Sequence, residues 1–457
     1  MTESPKSSKT PKRNGSWWRK NWFYTVLIAV ALLGGLGAFW IPFRLPQPFS
    51  KGDSISTLRQ SILAATGGIL AILTLWENRR KNIQEKEKND QDHTRQVHAE
   101  RRARYAKAVE QLADEKAPIR LGGVYTLAKL VDDWLDDEKT PLSMEKRRQE
   151  GQIIIDSLCA YIRSSFPLAE RHDELTLSYE EYQQKYQDNQ GKNQATQSVE
   201  NSADNSTPKP EEHQDNKQSR EEFARDKSIF REEQEVRQTI LSEIEKRLNS
   251  NKDKNEDGKG EVKPGTWSYF EYDLLNTVFF YRVGFSNSYF GASSNFSGAK
   301  FTDFANFSGA EFTDFANVWS ADFSGAKLVE ADFSGAEFTG LVDFSGAIFT
   351  WFADFSRAIF TQDAGFYGAV FIKSVIFSEA TFQTDPIFVN IRRGKTYKAR
   401  FSCKADPEDY RFEVDPDSPC KIETEEKEYN GVKFRIPKGA ILFDPDGSSE
   451  QKDDNDS

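Results

Sequence analysis

Between Phe285 and Phe388 a large apolar residue returns every five or six positions. The series is Phe296, Phe301, Phe307, Phe312, Val318, Phe323, Leu328, Phe333, Phe338, Phe344, Phe349, Phe355, Phe360, Phe366, Phe371, Phe377 and Phe382. Two positions before most of them stands a small residue, as with Ala299, Ala305, Ala310, Ala316, Ala321, Ala331 and Ala353. A period of five matches neither a helix at 3.6 nor a strand at 2. It suits a chain that turns a corner once per unit, with the small and the large residue facing the same side of a short extended segment. Four segments then make one coil of a square tube. Phe and Ala fill the bore, while Ser, Thr, Asp and Gly take the corners. Coils stack by backbone hydrogen bonds and touch only their neighbours.

The unequal steps carry a second expectation. Up to Val318 fives and sixes alternate, from Val318 to Phe338 every step is five, and beyond Phe338 the alternation resumes in reversed order. The extra residues, each a bulge or widened turn, are therefore predicted at one pair of opposite corners before Val318 and at the other pair after Phe338.

The unit, seen in Ala331-Asp332-Phe333-Ser334-Gly335 and Ala336-Glu337-Phe338-Thr339-Gly340, resembles that of the pentapeptide-repeat proteins, Ala-Asp/Asn-Leu/Phe-x-x. Phe replaces the commoner Leu. The resemblance covers roughly a quarter of the chain. It implies a right-handed quadrilateral β-helix (a β-solenoid) over 285–389 with about five coils, a rod on the order of 24 Å long at the usual strand spacing.

Two other apolar stretches precede this one. After a polar, basic N-terminus at 1–21, a run over 22–43 is long enough to span a bilayer, with Trp17, Trp18 and Trp22 at one end and Trp40 at the other. A second transmembrane helix is read at 55–76, extended past its clean apolar part if Arg59 snorkels. Lys6, Lys9, Lys12, Arg13, Arg19 and Lys20 precede the first span, and Arg79, Arg80, Lys81, Lys86 and Lys88 follow the second. The positive-inside rule puts both termini in the cytoplasm, and the resemblance to membrane-anchored bacterial members of the family implies a bacterial inner (plasma) membrane.

Residues 77–167 read as a charged helical stalk leading into a small helical domain. Ile83 and Val97 are too sparse for a convincing coiled-coil seam. The segment Arg120-Leu121-Gly122-Gly123-Val124-Tyr125-Thr126-Leu127 resembles one that joins a membrane hairpin to the repeats in anchored family members. Its glycines are read as close helix contact that Tyr125 fills. A disordered linker is predicted over 168–220, a helix at 221–249, a linker at 250–264, and an aromatic cap on the first coil at 265–284. Short strands are expected over 390–443, either capping the far end or forming an appendage, then an acidic disordered tail at 444–457.

Composition adds mainly exclusions. The 457 residues carry a formal charge of −11, which argues against general nucleic-acid binding. Three scattered cysteines give neither a disulfide framework nor a zinc pattern. No nucleophile–base pair, phosphate loop or metal spacing stands out, so no enzyme activity, cofactor, metal or small-molecule substrate is expected. Asp322, Asp332, Asp343 and Asp354 are read as an outward, solvated decoration.

The function that follows is a non-enzymatic, membrane-tethered interaction or scaffold protein presenting its rod to an unidentified cytoplasmic protein. Phe304, Phe315, Trp319, Trp351 and Phe352 fall outside the inward register and form a possible contact set. The alternative is an acidic DNA mimic inhibiting a topoisomerase, as some soluble pentapeptide-repeat proteins do. Twelve Asp and Glu against four Lys and Arg over 285–388, a net of minus eight, suit it. Two membrane spans do not.

Overall fold

The structure, a computed structural model, describes residues 15–44, 55–140, 142–187, 219–249, 262–313 and 319–447. They divide into two compact units, Met1–Glu100 and Arg101–Ser457.

In the first unit, α1 (Gly15–Arg44) and the start of α2 (Ile55–Leu112) are both long and apolar enough to cross a membrane. Their apolar side chains stay uncovered, Leu33 at 71% and Ile72 at 68% exposure. The two helices meet where Gly34 lies against Thr66, so closely that a Cβ on Gly34 would overlap the threonine side chain. After its apolar start α2 continues as one charged helix. Gly and Pro are absent from 69–112, so nothing breaks its hydrogen-bond ladder.

The second unit opens with a helical bundle: the end of α2, α3 (Ala117–Leu135), α4 (Met144–Arg163), the short α5 (His172–Leu175), helical residues 179–187 (α6) and α7 (Arg220–Leu248). Pro118 in the first turn opens α3, Ser143 caps α4, and Ser219 with Glu222 forms a capping box on α7. Val124, Leu127, Val131, Ile155, Leu158, Ile240 and Ile244 make its core. Residues 168–187, placed in the disordered linker by composition, are structured here. Ala169, Leu175 and Tyr182 are buried, and the Tyr182 ring stacks on Phe223 of α7 at 4.8 Å. Three apolar anchors in a polar sequence suffice because α7 offers a surface to bury them against. Residues 188–218 and 250–261 of the two predicted linkers lie outside the described residues, as do 1–14 of the predicted basic N-terminus and 448–457 of the predicted tail.

The remainder is a four-walled β-solenoid whose strands pair in parallel, coil upon coil. Wall 1 carries Phe285, Phe307, Phe333, Phe355 and Phe377, stacked ring on ring at 5.0 to 5.7 Å. Wall 2 carries Phe290, Phe312, Phe338, Phe360 and Phe382 in register. Wall 3 stacks Phe296, Phe323, Phe344, Phe366 and Phe388. Wall 4 aligns Phe279, Phe301, Leu328, Phe349, Phe371 and Phe401. Five layers on walls 1 to 3 give a solenoid of about five coils. None of Phe296, Phe301, Phe307, Phe312, Phe323, Phe333, Phe338, Phe344, Phe349, Phe355, Phe360, Phe366, Phe371, Phe377 and Phe382 is more than 1% exposed. Offset-parallel rings along each wall and edge-to-face rings across the bore are the packing that aromatic quadrupoles favour.

The corners differ from the sequence expectation. Five-residue steps follow Phe-Ser-Gly-Ala. Gly298, Gly325 and Gly346 have φ of +65°, +65° and +66°, and the Ala299 N–H donates to the Phe296 carbonyl at 3.0 Å, closing a type II turn. Six-residue steps are the wider corners from wall 2 to wall 3 and from wall 4 to wall 1. The extra residues keep to this one pair of opposite corners from end to end. The predicted swap rests on Val318 owning a wall. Instead Phe312 and Phe323 occupy the adjoining walls 2 and 3, so the step between them is eleven positions, five more than at the equivalent corners of the other coils. Val318 itself lies outside the described residues. The one short wide corner, Leu328 to Phe333, appears as register shifts against both neighbouring strands.

The stack also runs beyond its predicted ends. Tyr272, Phe279 and Val283 already pair in register with Ser294, Phe301 and Ala305, so 272–284 is coil rather than cap. The helical bundle closes that end. Phe280 packs between Phe166 and Phe230, and Phe270 fills a space left by Gly151. At the far end Phe401 and Leu442 add layers to wall 4, and Tyr410 continues wall 1. The residues 390–443 are thus an irregular continuation of the solenoid, finished by an antiparallel hairpin, Thr424–Tyr429 with Val432–Pro437, that buries Phe434 and Ile436.

Candidate interaction surface

Each wall spends its inward positions on Ala and Phe, so the outer surface is set by the corners. On the tight corners Asp322, Asp332, Asp343 and Asp354 each accept the N–H of the serine two residues on, at 2.7 to 2.8 Å. They bridge over the intervening Phe as Asx turns and prepare the type II turn. The reading of these carboxylates as free solvated decoration is therefore corrected: three are half-buried and Asp343 is buried. Burial pushes the Asp343 carboxyl up, with a smaller push from Asp322 beneath it; the Ser345 hydrogen bonds and Arg392 oppose.

Wide corners project further. From wall 4 to wall 1, Phe304 and Phe352 both pair with Glu330 in adjoining strands, so three coils bring them into one column. Trp351 is 54% exposed, Phe304 and Phe352 are half-buried, and Val329 is 38% exposed. The Lys373 ammonium sits 3.5 Å from the centre of the Trp351 ring, and the Arg282 guanidinium 5.4 Å from that of Phe304. The result is a ridge of aromatics interleaved with cations. Sequence reasoning missed Arg282 and Lys373, yet both stand 22 positions, one coil, from the ring they cover. Trp319 pairs with Leu341 at the opposite wide corner, so it does not join this ridge. Its side chain, and all of Phe315, lie outside the described residues.

The bundle holds charged groups that bind its elements together rather than present a ligand site. Arg237, 2% exposed, donates to Glu233 at 2.7 Å and to the Ile162 carbonyl at 2.6 Å, and Tyr161 donates to the same Glu233 at 2.9 Å. Asp132 of α3 accepts from Arg247 of α7 and from the Trp267 indole, fastening the bundle to the first coil. Gly123 gives the close approach the sequence suggests, its absent Cβ lying 2.8 Å from the Ala108 carbonyl oxygen. Gly122 faces open space, however, and Tyr125 is 53% exposed rather than filling the contact. The helical period puts both on the outer face of α3. Among the described residues, no three His, Cys, Asp or Glu side chains group as a metal would require.

Residues 323–370 match a family model described as pentapeptide repeats, in nine copies. The solenoid is a pentapeptide-repeat domain. The match begins at the first wall after the eleven-position step, where the spacing is most regular. No curated protein and no solved structure matches the chain. Pentapeptide-repeat proteins are typically non-enzymatic, and a pentapeptide-repeat solenoid suggests a protein-interaction or scaffold role.

Proposed function

We propose that this chain is a membrane-tethered scaffold that presents its pentapeptide-repeat domain to a cytoplasmic protein partner, with α1 and the start of α2 as spans and both termini on the cytoplasmic side. The observation that carries it is the ridge of Phe304, Trp351 and Phe352 with Arg282 and Lys373, held on a stacked aromatic core. Aromatic and arginine side chains on a rigid backing lose little conformational freedom on binding, which is what interface hot spots require. The test is crosslinking in membranes from a photoreactive residue at Glu330. A discrete partner band that disappears in Trp351→Ala/Phe352→Ala supports the proposal; a profile unchanged by those substitutions refutes it.

The second reading, a DNA mimic acting on a topoisomerase, is favoured by the net charge of minus eight over 285–388. Against it, the carboxylates of the tight corners are engaged in turns. Absence of supercoiling inhibition at micromolar chain would discard it.

A further inference from the structure

The tight corner that follows Phe388 departs from the others in one way. The Ala399 N–H donates to the Phe388 carbonyl at 2.8 Å, the bond that closes each Phe-Ser-Gly-Ala turn. Between donor and acceptor, however, ten residues loop outward. They form an antiparallel hairpin, Val389–Arg392 against Lys395–Lys398, turned by Arg393 and Gly394 at φ +52° and +76°. Two successive positive φ values define a type I′ turn, whose twist matches that of a β-hairpin. A closed corner thus holds a hairpin away from the rod.

Its chemistry is opposite to that of its surroundings. Arg392, Arg393, Lys395, Lys398 and Arg400 lie within nine residues that hold no Asp or Glu, and none of the five forms an ion pair among the described residues. Without them the formal charge of the chain would fall from −11 to −16. Directly opposed residues share a face, so Arg392 and Lys395 lie on one side, and Ile391 and Thr396 on the other. The first side sets the Arg392 guanidinium 4.6 Å from the Tyr367 ring centre, yet Arg392 and Lys395 stay exposed. The other leaves Ile391 at 69% exposure, among the most exposed large apolar residues outside α1 and α2.

We propose that this hairpin docks on an anionic lipid surface. Its lysines and arginines meet headgroup phosphates and Ile391 enters the layer beneath them. The inference rests on the membrane-tethered reading above. An acidic polypeptide or a nucleic acid would also attract the cations, but neither offers an apolar layer directly under a sheet of negative charge, which is what an exposed isoleucine beside two arginines fits. The acidic remainder of the solenoid is repelled by the same surface, so attraction concentrates at this corner and orients the rod.

The test uses the full chain with Ile391→Cys, Cys403→Ser and Cys420→Ser, carrying an environment-sensitive fluorophore at 391. Cys159 stays, since its thiol is buried and pushed up to about 12, chiefly by that burial. In phosphatidylcholine vesicles containing phosphatidylserine, the emission shifts to the blue and doxyl-labelled lipid quenches it. Pure phosphatidylcholine, high salt, or added Arg392→Glu/Arg393→Glu/Lys395→Glu abolishes both effects. A label indifferent to phosphatidylserine overturns the proposal, as does one that answers a DNA duplex or a polyglutamate chain instead. Flotation after alkaline carbonate reads the membrane spans separately. A chain that floats with an unresponsive label loses only the hairpin proposal. A chain stripped from the vesicles refutes the tethered reading, and the same label, read on chain added to vesicles, still decides the hairpin.

Discussion

Phe312 and Phe323 face each other across one corner of the bore, ring centroids 6.2 Å apart and planes at 82°, although eleven positions separate them. Equivalent rings one coil later, Phe338 and Phe344, stand at 6.1 Å and 85° with only six positions between them. The bore is therefore indifferent to the five additional residues. Deleting 314–318 is expected to leave the far-UV spectrum and a single cooperative unfolding transition in place. Deleting 333–337, an equal length that contains a wall, moves Phe338 from wall 2 to wall 1 and should abolish that transition. Calorimetry of the two deletions checks this, and equal damage from both would contradict the assigned walls.

Phe333 lies between Phe307 at 5.2 Å and Phe355 at 5.1 Å, fully buried in its ladder. Phe333→Ala removes a ring that the closed backbone cannot collapse to replace. The expected loss is about 3–5 kcal/mol in urea unfolding. Phe333→Leu keeps most of the volume, as Leu328 does on wall 4, and should cost less than half as much.

Arg357 occupies, at φ +56°, the turn position that Gly309 and Gly335 fill in the two preceding coils. Its ion pair with Glu379 joins two side chains that are 75% and 65% exposed, so it contributes little. Relief of a left-handed non-glycine residue outweighs the added freedom of glycine in the unfolded chain. Arg357→Gly is expected to stabilise the solenoid by up to ~1 kcal/mol. A lower urea midpoint than that of the parent chain would reject this account of the corner.

The Asp137 carboxyl accepts from Arg101 at 2.7 Å and from the Thr140 hydroxyl at 2.5 Å. Burial opposes its ionisation, but the Thr140 hydroxyl and N–H, and then Arg101, outweigh burial and hold it well below the usual carboxylate range. A carboxyl depressed by folding stabilises above its unfolded value, and that contribution is lost as pH falls through the folded one. Asp137→Asn should therefore be less stable than the parent at pH 7. The gap should narrow only below about pH 4, the unfolded aspartate value. Thermal denaturation of both chains from pH 7 to pH 2.5 measures it, and a gap constant across that range would remove Asp137 from this role.

Much of the solenoid is legible along the chain because its contacts are nearly local. Ala353 and Phe355 share a wall, Phe355-Ser356-Arg357-Ala358 share a corner, and the next coil repeats them about 22 positions on. Periodicity alone therefore shows which side chains fill the bore, and the lengths of the two apolar runs show that α1 and the start of α2 are able to span a bilayer. The candidate ridge was legible only in part. Trp351 and Phe304 declare themselves by missing the register, but Lys373 and Arg282 reach these two rings, respectively, from adjoining coils.

Spacing could not reveal whether Phe312 and Phe323 stand on adjoining walls or on walls two corners apart, because both give the same intervals; pairing between coils decides it. Nor could it reveal that α7 seals the first coil, since Phe230 and Phe280 are fifty positions apart and meet only through packing. The sequence determined the repeating cross-section, which arises from interactions within one coil. The tertiary structure alone decided the phase of the corners, the closures at both ends, and which outward residues stand together, because each depends on contacts between segments that no local rule connects.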